Sequence, residues 1–331
     1  MNRSPEPLAL RQIRQVAERL APHVHSTPLM RCCNSEVSAL IGTDELHLKL
    51  EFLQKTGSFK ARGAINNVLS RDPADSSKGV TAVSAGNHAI AVAYAAQALG
   101  ISAKVLMPQK ASPLRIEKCA HYGAEVVCFE DIAEGFERMN QIAVAEDRTI
   151  VHPFDGYPTM QGTATVGLEI GNLLTEIDTV VVAVGGGGLI AGVGAALKQI
   201  HPQIRVIGVE PEGAAGMTQS LERGSPLAHV SVDTIADSMG APLHCDESFS
   251  VCQRVIDQMV LVDDQALCRA MALVYDTFRF ALEPAGVAVI AALVGPLASA
   301  CKGRRIAAVL CGSNIDESLW YQFVRRGRVD Q

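Results

Sequence analysis

Residues 178–192 read Asp178-Thr-Val-Val-Val-Ala-Val-Gly-Gly-Gly-Gly-Leu-Ile-Ala-Gly192, and the fold turns on them. Thr179 to Val184 are uncharged and mostly β-branched, the composition of a strand covered on both faces in a parallel sheet. Gly185, Gly186, Gly187 and Gly188 end that strand, and Leu189 begins a helical spacing that runs to Ile200. Glycine lets the backbone turn sharply, and successive N–H groups at a helix N-terminus converge on an anion. A plain turn has no need of four glycines, so the segment reads as a phosphate site. The uncharged run Thr179 to Leu197 is long enough to mimic a membrane span, but the glycines divide it into strand, loop and helix.

Outward from this segment the same alternation repeats. Short strands rich in Val, Ile and Ala are expected at Leu46–Leu50, Val80–Val83, Ala103–Met107, Glu125–Cys128, Arg205–Glu210 and Arg305–Cys311. Helical spacing fills Phe59–Ser70, His88–Leu99, Ser112–His121, Ile132–Glu146, Thr159–Leu174 and Ala266–Phe280. That order predicts an α/β protein with mostly parallel sheets flanked by helices. Breaks at Pro73 to Gly79 and at Val151-His-Pro-Phe-Asp-Gly-Tyr-Pro158 set off 79–157 as a smaller unit, with 1–78 and 158–331 forming a larger one.

Composition narrows the function. The 331 residues are 48% hydrophobic and 19% charged, which excludes intrinsic disorder and predicts a large core and a subunit interface. A net charge of −6, without a basic tract, argues against a nucleic-acid partner, and 5% aromatics are too few for a base-stacking platform. The nine cysteines are odd in number and lack C-x-x-C spacing, as expected of free thiols in a reducing cytoplasm. No signal peptide or membrane span is expected.

Other segments supply side chains for chemistry. Lys55-Thr-Gly-Ser-Phe-Lys-Ala-Arg-Gly63 opens a helix with Ser58 as the expected N-cap. Lys60 falls in the first turn, where the helix dipole opposes a cation and favours a neutral, nucleophilic amine. Read alone, the segment is better explained by a solvated lysine with Arg62 on an exposed face. Ser84-Ala-Gly-Asn-His-Ala89 follows a strand and offers donors to a carboxylate or phenolate; His88 is either a general base or a packing residue. Leu310-Cys-Gly-Ser-Asn314 again ends an apolar strand. A dinucleotide reading also stands: Gly186, Gly188 and Ala191 fit G-x-G-x-x-A, and Glu210 follows Gly186 by 24 residues as a ribose ligand. It would make the chain a nicotinamide- or flavin-dependent oxidoreductase. A phosphate cradle, a lysine, an asparagine turn and a lone serine suit pyridoxal phosphate better than hydride transfer.

Taken together, SFKARG, SAGNHA, QGT, VGGGGL, GVEP, EPAG and CGSN, in this order, resemble the fold-type II pyridoxal-phosphate enzymes of the threonine/serine dehydratase and serine racemase family over nearly the whole chain. The resemblance implies a tryptophan synthase β-like architecture of two open twisted sheets, with the 79–157 unit closing over an amino-acid substrate. It implies that Lys60 holds the cofactor covalently and takes the substrate α-proton. Phe59 would pack beside the ring, Asn87 meet its hydroxyl oxygen, Ser313 face its nitrogen, and Gly185 to Gly188 with Leu189 cradle the phosphate. A neutral Ser313 leaves that nitrogen unprotonated, which favours prompt loss of a β-substituent. Ser84, Ala85, Gly86, Asn87 and His88 resemble the loop that clamps the substrate carboxylate, and Glu283 matches an acidic residue near substrate and ring.

Departures from the family pattern refine the expectation. Family racemases carry a second serine where Ala85 stands, so elimination of water from threonine or serine is expected rather than racemisation. Phe154 or Tyr157 would enlarge the side-chain pocket toward phenylserine; alternatively both pack between lobes. Met160 and Ser238 replace family glycines. A divalent cation held by Glu210 and the Ala214 carbonyl is implied only weakly, because the third ligand position is Gly216. With only a short segment after CGSN, the regulatory domain of biosynthetic relatives is not expected, and the family habit implies a homodimer.

Overall fold

The computed structural model describes residues 6–72, 74, 77–130 and 132–329. Within the Pro73–Gly79 break, residues 73, 75 and 76 lie outside that description. Among the described residues the strands are β1 (Leu29–Arg31), β2 (Leu46–Lys49), β3 (Val80–Val83), β4 (Ala103–Pro108), β5 (Glu125–Phe129), β6 (Thr149–Ile150), β7 (Thr179–Ala183), β8 (Arg205–Pro211), β9 (Gln258–Val262) and β10 (Ile306–Val309). One sheet has the order β1-β2-β10-β7-β8-β9 and is parallel apart from the β1–β2 pair. The other, β5-β4-β3-β6, is parallel throughout and is drawn entirely from residues between 80 and 150.

The central strands are the ones most legible in the sequence. Every residue of β7, β10 and β3 is buried. The helices Gly188–Ile200 and Pro284–Val294 both pack on the larger sheet, with only apolar residues and glycine at their buried positions apart from Pro284. Removing each Val or Ile side chain of such a layer from water contributes about 1.5–3 kcal/mol. Edge strands escape the pattern: β9 is mostly half-exposed and β6 is two residues long.

Two local expectations for the lysine segment need correction. Ser58 does not cap the helix Lys60–Leu69; Phe59 precedes its first residue, and Ser58 pairs with Gly312 in an isolated antiparallel bridge. Arg62 is not on an exposed face but fully buried. Its guanidinium donates to both Glu51 carboxylate oxygens, at 2.9 and 2.8 Å, and to Glu169, at 2.6 and 3.0 Å. Lys49 Nζ and the Thr27 hydroxyl complete this cluster by donating to Glu169 and Glu51 respectively. Burial pushes the Glu51 carboxyl up, but Arg62 outweighs it and holds the group below its ordinary value. The helix that begins with Lys60 is thereby fixed to the floor of the larger sheet.

Candidate active site

Loops at the carboxyl ends of β3, β7 and β10 meet the start of the Lys60 helix, as ligand sites of open α/β sheets do. Phe59, Lys60, Asn87, Phe154, Gly185 to Gly188, Leu189 and Glu283 all line one cleft. Gly187 enters the helix Gly188–Ile200 with φ +89°, in the left-handed region. A Cβ on Gly186 would strike the Phe154 ring and one on Gly188 the Phe154 backbone, so both positions admit only hydrogen. The first turn of that helix leaves N–H groups without intrahelical partners.

Lys60 Nζ donates to the Pro153 carbonyl at 2.6 Å and stands 5.2 Å from the centre of the Phe59 ring. The residue keeps some contact with the open cleft, but its ammonium is enclosed by protein. Loss of water pulls its pKa down to about 8, with Cys311 and Glu283 opposing the shift. Glu283 is buried; its Oε1 accepts Asn87 Nδ2 at 2.6 Å, and its Oε2 accepts Arg115 Nη2 at 3.3 Å. Burial raises Glu283 to about 7 although Arg115 pulls it back. His88 Nε2 donates to the Val151 carbonyl at 2.8 Å, and burial, aided by Lys60, lowers its pKa to about 3. His88 is therefore neutral at physiological pH and lines an adjoining pocket with Lys60.

Several expected residues lie beside the cleft lining. Gly86 N donates to Ser84 Oγ at 3.1 Å, while Gly86 itself lies against the Arg115 guanidinium. Ser313 Oγ donates to the Gly57 carbonyl at 3.4 Å and is not among the lining residues. Phe154 is in the lining and Tyr157 is not; Tyr157 packs on the main core. Sequence reasoning missed Cys311 and Met239 as lining residues, and treated Ser238 only as a departure from a motif. It also missed Arg115, whose burial against Glu283 had no local signal in a helix with Lys118 and Glu117 around it.

Both expectations for Glu210 meet one finding. Its buried carboxylate accepts the Met217 N–H at 2.7 Å, the Thr218 N–H at 2.9 Å and the Thr218 hydroxyl at 2.7 Å. These donors open the helix Gly216–Arg223, whose N-terminal dipole favours a carboxylate and repels a cation. With Gly216 supplying no side chain, this constellation does not fit a divalent cation, and Glu210 is engaged where a ribose ligand would need to be free. Dialysis against EDTA is expected to leave the melting temperature unchanged; a fall restored by added Mg²⁺ or Ca²⁺ would reinstate a cation site.

A model of the family described as pyridoxal-phosphate dependent enzyme matches residues 20–312. Phenylserine dehydratase of Ralstonia pickettii is 45% identical over 93% of this chain and 94% of its own length. The catabolic L-threonine dehydratase of Escherichia coli K12 is 35% identical, covering 94% of each chain. The structure of maize serine racemase superposes with a TM-score of 0.90 at 34% identity, over 97% of this chain and 98% of that one.

Proposed function

The chain belongs to the pyridoxal-phosphate dependent enzyme family, and from that premise we propose that it is a lyase removing water from L-β-hydroxy-α-amino acids, yielding a 2-oxo acid and ammonia. Pyridoxal phosphate is its cofactor, and the residues present suit it: a loop without room for a Cβ, N–H groups at a helix start, and an amine poised to lose its proton. Gly185 to Gly188 and Leu189 would hold the phosphate, Lys60 the aldehyde carbon, and Phe59 and Asn87 the ring; Ser313 would meet the ring only by turning its hydroxyl from the Gly57 carbonyl. When bound, the cofactor supplies the electron sink that acidifies the substrate α-carbon.

The chain's own groups then move the protons. Burial pulls the Lys60 Nζ pKa down to about 8, which makes the free amine more available near neutral pH than an ordinary lysine's; in that form it would accept the α-proton. Ser84, Ala85, Gly86, Asn87 and His88 would orient the substrate carboxylate, His88 as a neutral residue whose ring N–H is already given to the Val151 carbonyl. Glu283 keeps Asn87 in place and stays close to its own protonation point. We assign 79–157 to a unit closing over substrate and 1–78 with 158–331 to the cofactor-binding unit. A homodimer is supported by the low charged fraction, and a reducing, cytoplasmic setting by nine free cysteines. No helix among the described residues is long and apolar enough to cross a membrane.

The observation that carries this reading is the convergence of Lys60, the glycine quartet, Asn87 and Glu283 on one cleft from four distant chain segments. Elimination is favoured over racemisation because Ala85 has no proton to deliver, and because the 45% identical relative is a dehydratase. Phe154 in the lining favours an aromatic substrate such as phenylserine over threonine and serine, a preference worth about 1–3 kcal/mol. The purified protein should show a visible absorption band that borohydride discharges. Serine, threonine and phenylserine should each be assayed for 2-oxo acid and D-enantiomer. D-amino acid without 2-oxo acid would identify a racemase instead, and no turnover of any of the three would overturn the reading.

A further inference from the structure

Asn87 presents either its carbonyl or its amide nitrogen to the cleft, and the two have opposite chemistry. Only the nitrogen attracts an anionic oxygen of a ligand. Glu283 accepts from that nitrogen on the cleft side, and Asn314 engages the carbonyl end from outside the cleft. Lys118 Nζ donates to Asn314 Oδ1 at 2.5 Å, and an ammonium has no acceptor to offer. Asn314 Nδ2 donates to the Thr56 carbonyl at 2.8 Å, which cannot donate back. These two partners leave Asn314 one orientation. Gly57, at φ +75°, closes over it so tightly that a Cβ there would stand 2.7 Å from Asn314 Oδ1. Asn314 is fully buried, and Arg115 Nε grips its carbonyl at 2.9 Å.

The orientation passes onward. Asn314 Nδ2 also donates to Asn87 Oδ1 at 2.6 Å, so Asn87 must turn its nitrogen the other way, to Glu283 Oε1 at 2.6 Å. An Nδ2 group carries two hydrogens, and Glu283 takes one. Among the described residues the second has only Ser238 Oγ at 3.4 Å, on the cleft wall. We propose that Asn314, held by Lys118, is the positioning residue that turns the Asn87 amide so that an N–H faces the cofactor's ring oxygen. The inference rests on the proposed reading that pyridoxal phosphate occupies this cleft.

The test is the equilibrium affinity of the apoprotein for pyridoxal phosphate, measured by absorbance or fluorescence titration with no substrate present. Asn314→Ala is expected to weaken binding about 10-fold, and Lys118→Met by a smaller factor in the same direction. Each change introduced on an Asn87→Ala background should alter affinity by less than about 2-fold, because the residue through which it acts is gone. Effects of equal size in both backgrounds would mean that Asn314 serves the fold alone, and no effect in either would also overturn the proposal. If Asn314→Ala does not fold, the Lys118→Met cycle decides by the same criteria. Failure of the unaltered protein to bind pyridoxal phosphate would instead strike the reading on which the inference rests.

Discussion

Lys60→Ala is expected to lower kcat/KM for β-hydroxy amino acids by roughly 10⁴-fold or more, since in the proposed function one side chain both anchors the cofactor and exchanges the α-proton. The fold should survive. The amine's hydrogen bond is to the Pro153 carbonyl, no ion pair among the described residues holds it, and alanine is a better helix former than lysine at the first position of Lys60–Leu69. The lysine's lowered pKa gives the sign of the stability change. Between about 8 and the ordinary lysine value of 10.5 the unfolded chain binds a proton that the folded apoprotein does not. Stability from this group is therefore present above that window and lost as pH falls through it. At pH 7 the alanine apoprotein should be at least as stable as the unaltered one. Steady-state kinetics together with thermal melts of both apoproteins check the pair of expectations; substantial residual turnover would remove Lys60 from its assigned role.

The second large effect is on stability. Arg62→Met should destabilise the protein by about 3–5 kcal/mol, because it leaves a buried carboxylate without its counter-ion. Glu51 is 0% exposed and would retain only the Thr27 hydroxyl and the nearby charge of Lys49. Without Arg62, burial would raise the Glu51 pKa above its unfolded value. The deficit should then grow as pH rises from 5 to 8, the range in which the unfolded chain has already released that proton. Urea unfolding at both pH values measures it. Adding Glu51→Gln should recover part of the loss, and a deficit below about 1 kcal/mol in the single variant would show that the cluster is not an interdependent unit.

Arg62 also marks where sequence reading stops. The residue lies between Ala61 and Gly63 in a segment whose local pattern suits an exposed face equally well, and its partners Glu51 and Glu169 come from 11 and 107 residues away. Burial of a charge is decided by what the fold brings to it, and spacing along the chain carries no trace of that. The glycine quartet is the opposite case: its apolar strand, its turn and its helix start are adjacent, so their meaning is local and readable. Lys60, Asn87 and Glu283 were legible only as a set, through their order along the chain. The helix Pro284–Val294 shows a further limit, since a segment buried all round has neither the period of a surface helix nor the alternation of a strand. Asn314 was quoted as the last letter of a motif, yet its use depends on Lys118, 196 residues earlier.

The pinned base of the Lys60 helix sets how the amine can travel. Two ion pairs and a bridge to Gly312 hold the backbone on either side of it, so the main chain has no slack to lend. If Lys60 plays both proposed parts, whatever distance separates the site of cofactor attachment from the α-carbon would be covered by rotation about the four methylenes of a single side chain, swinging like a crane arm from a footing that does not move.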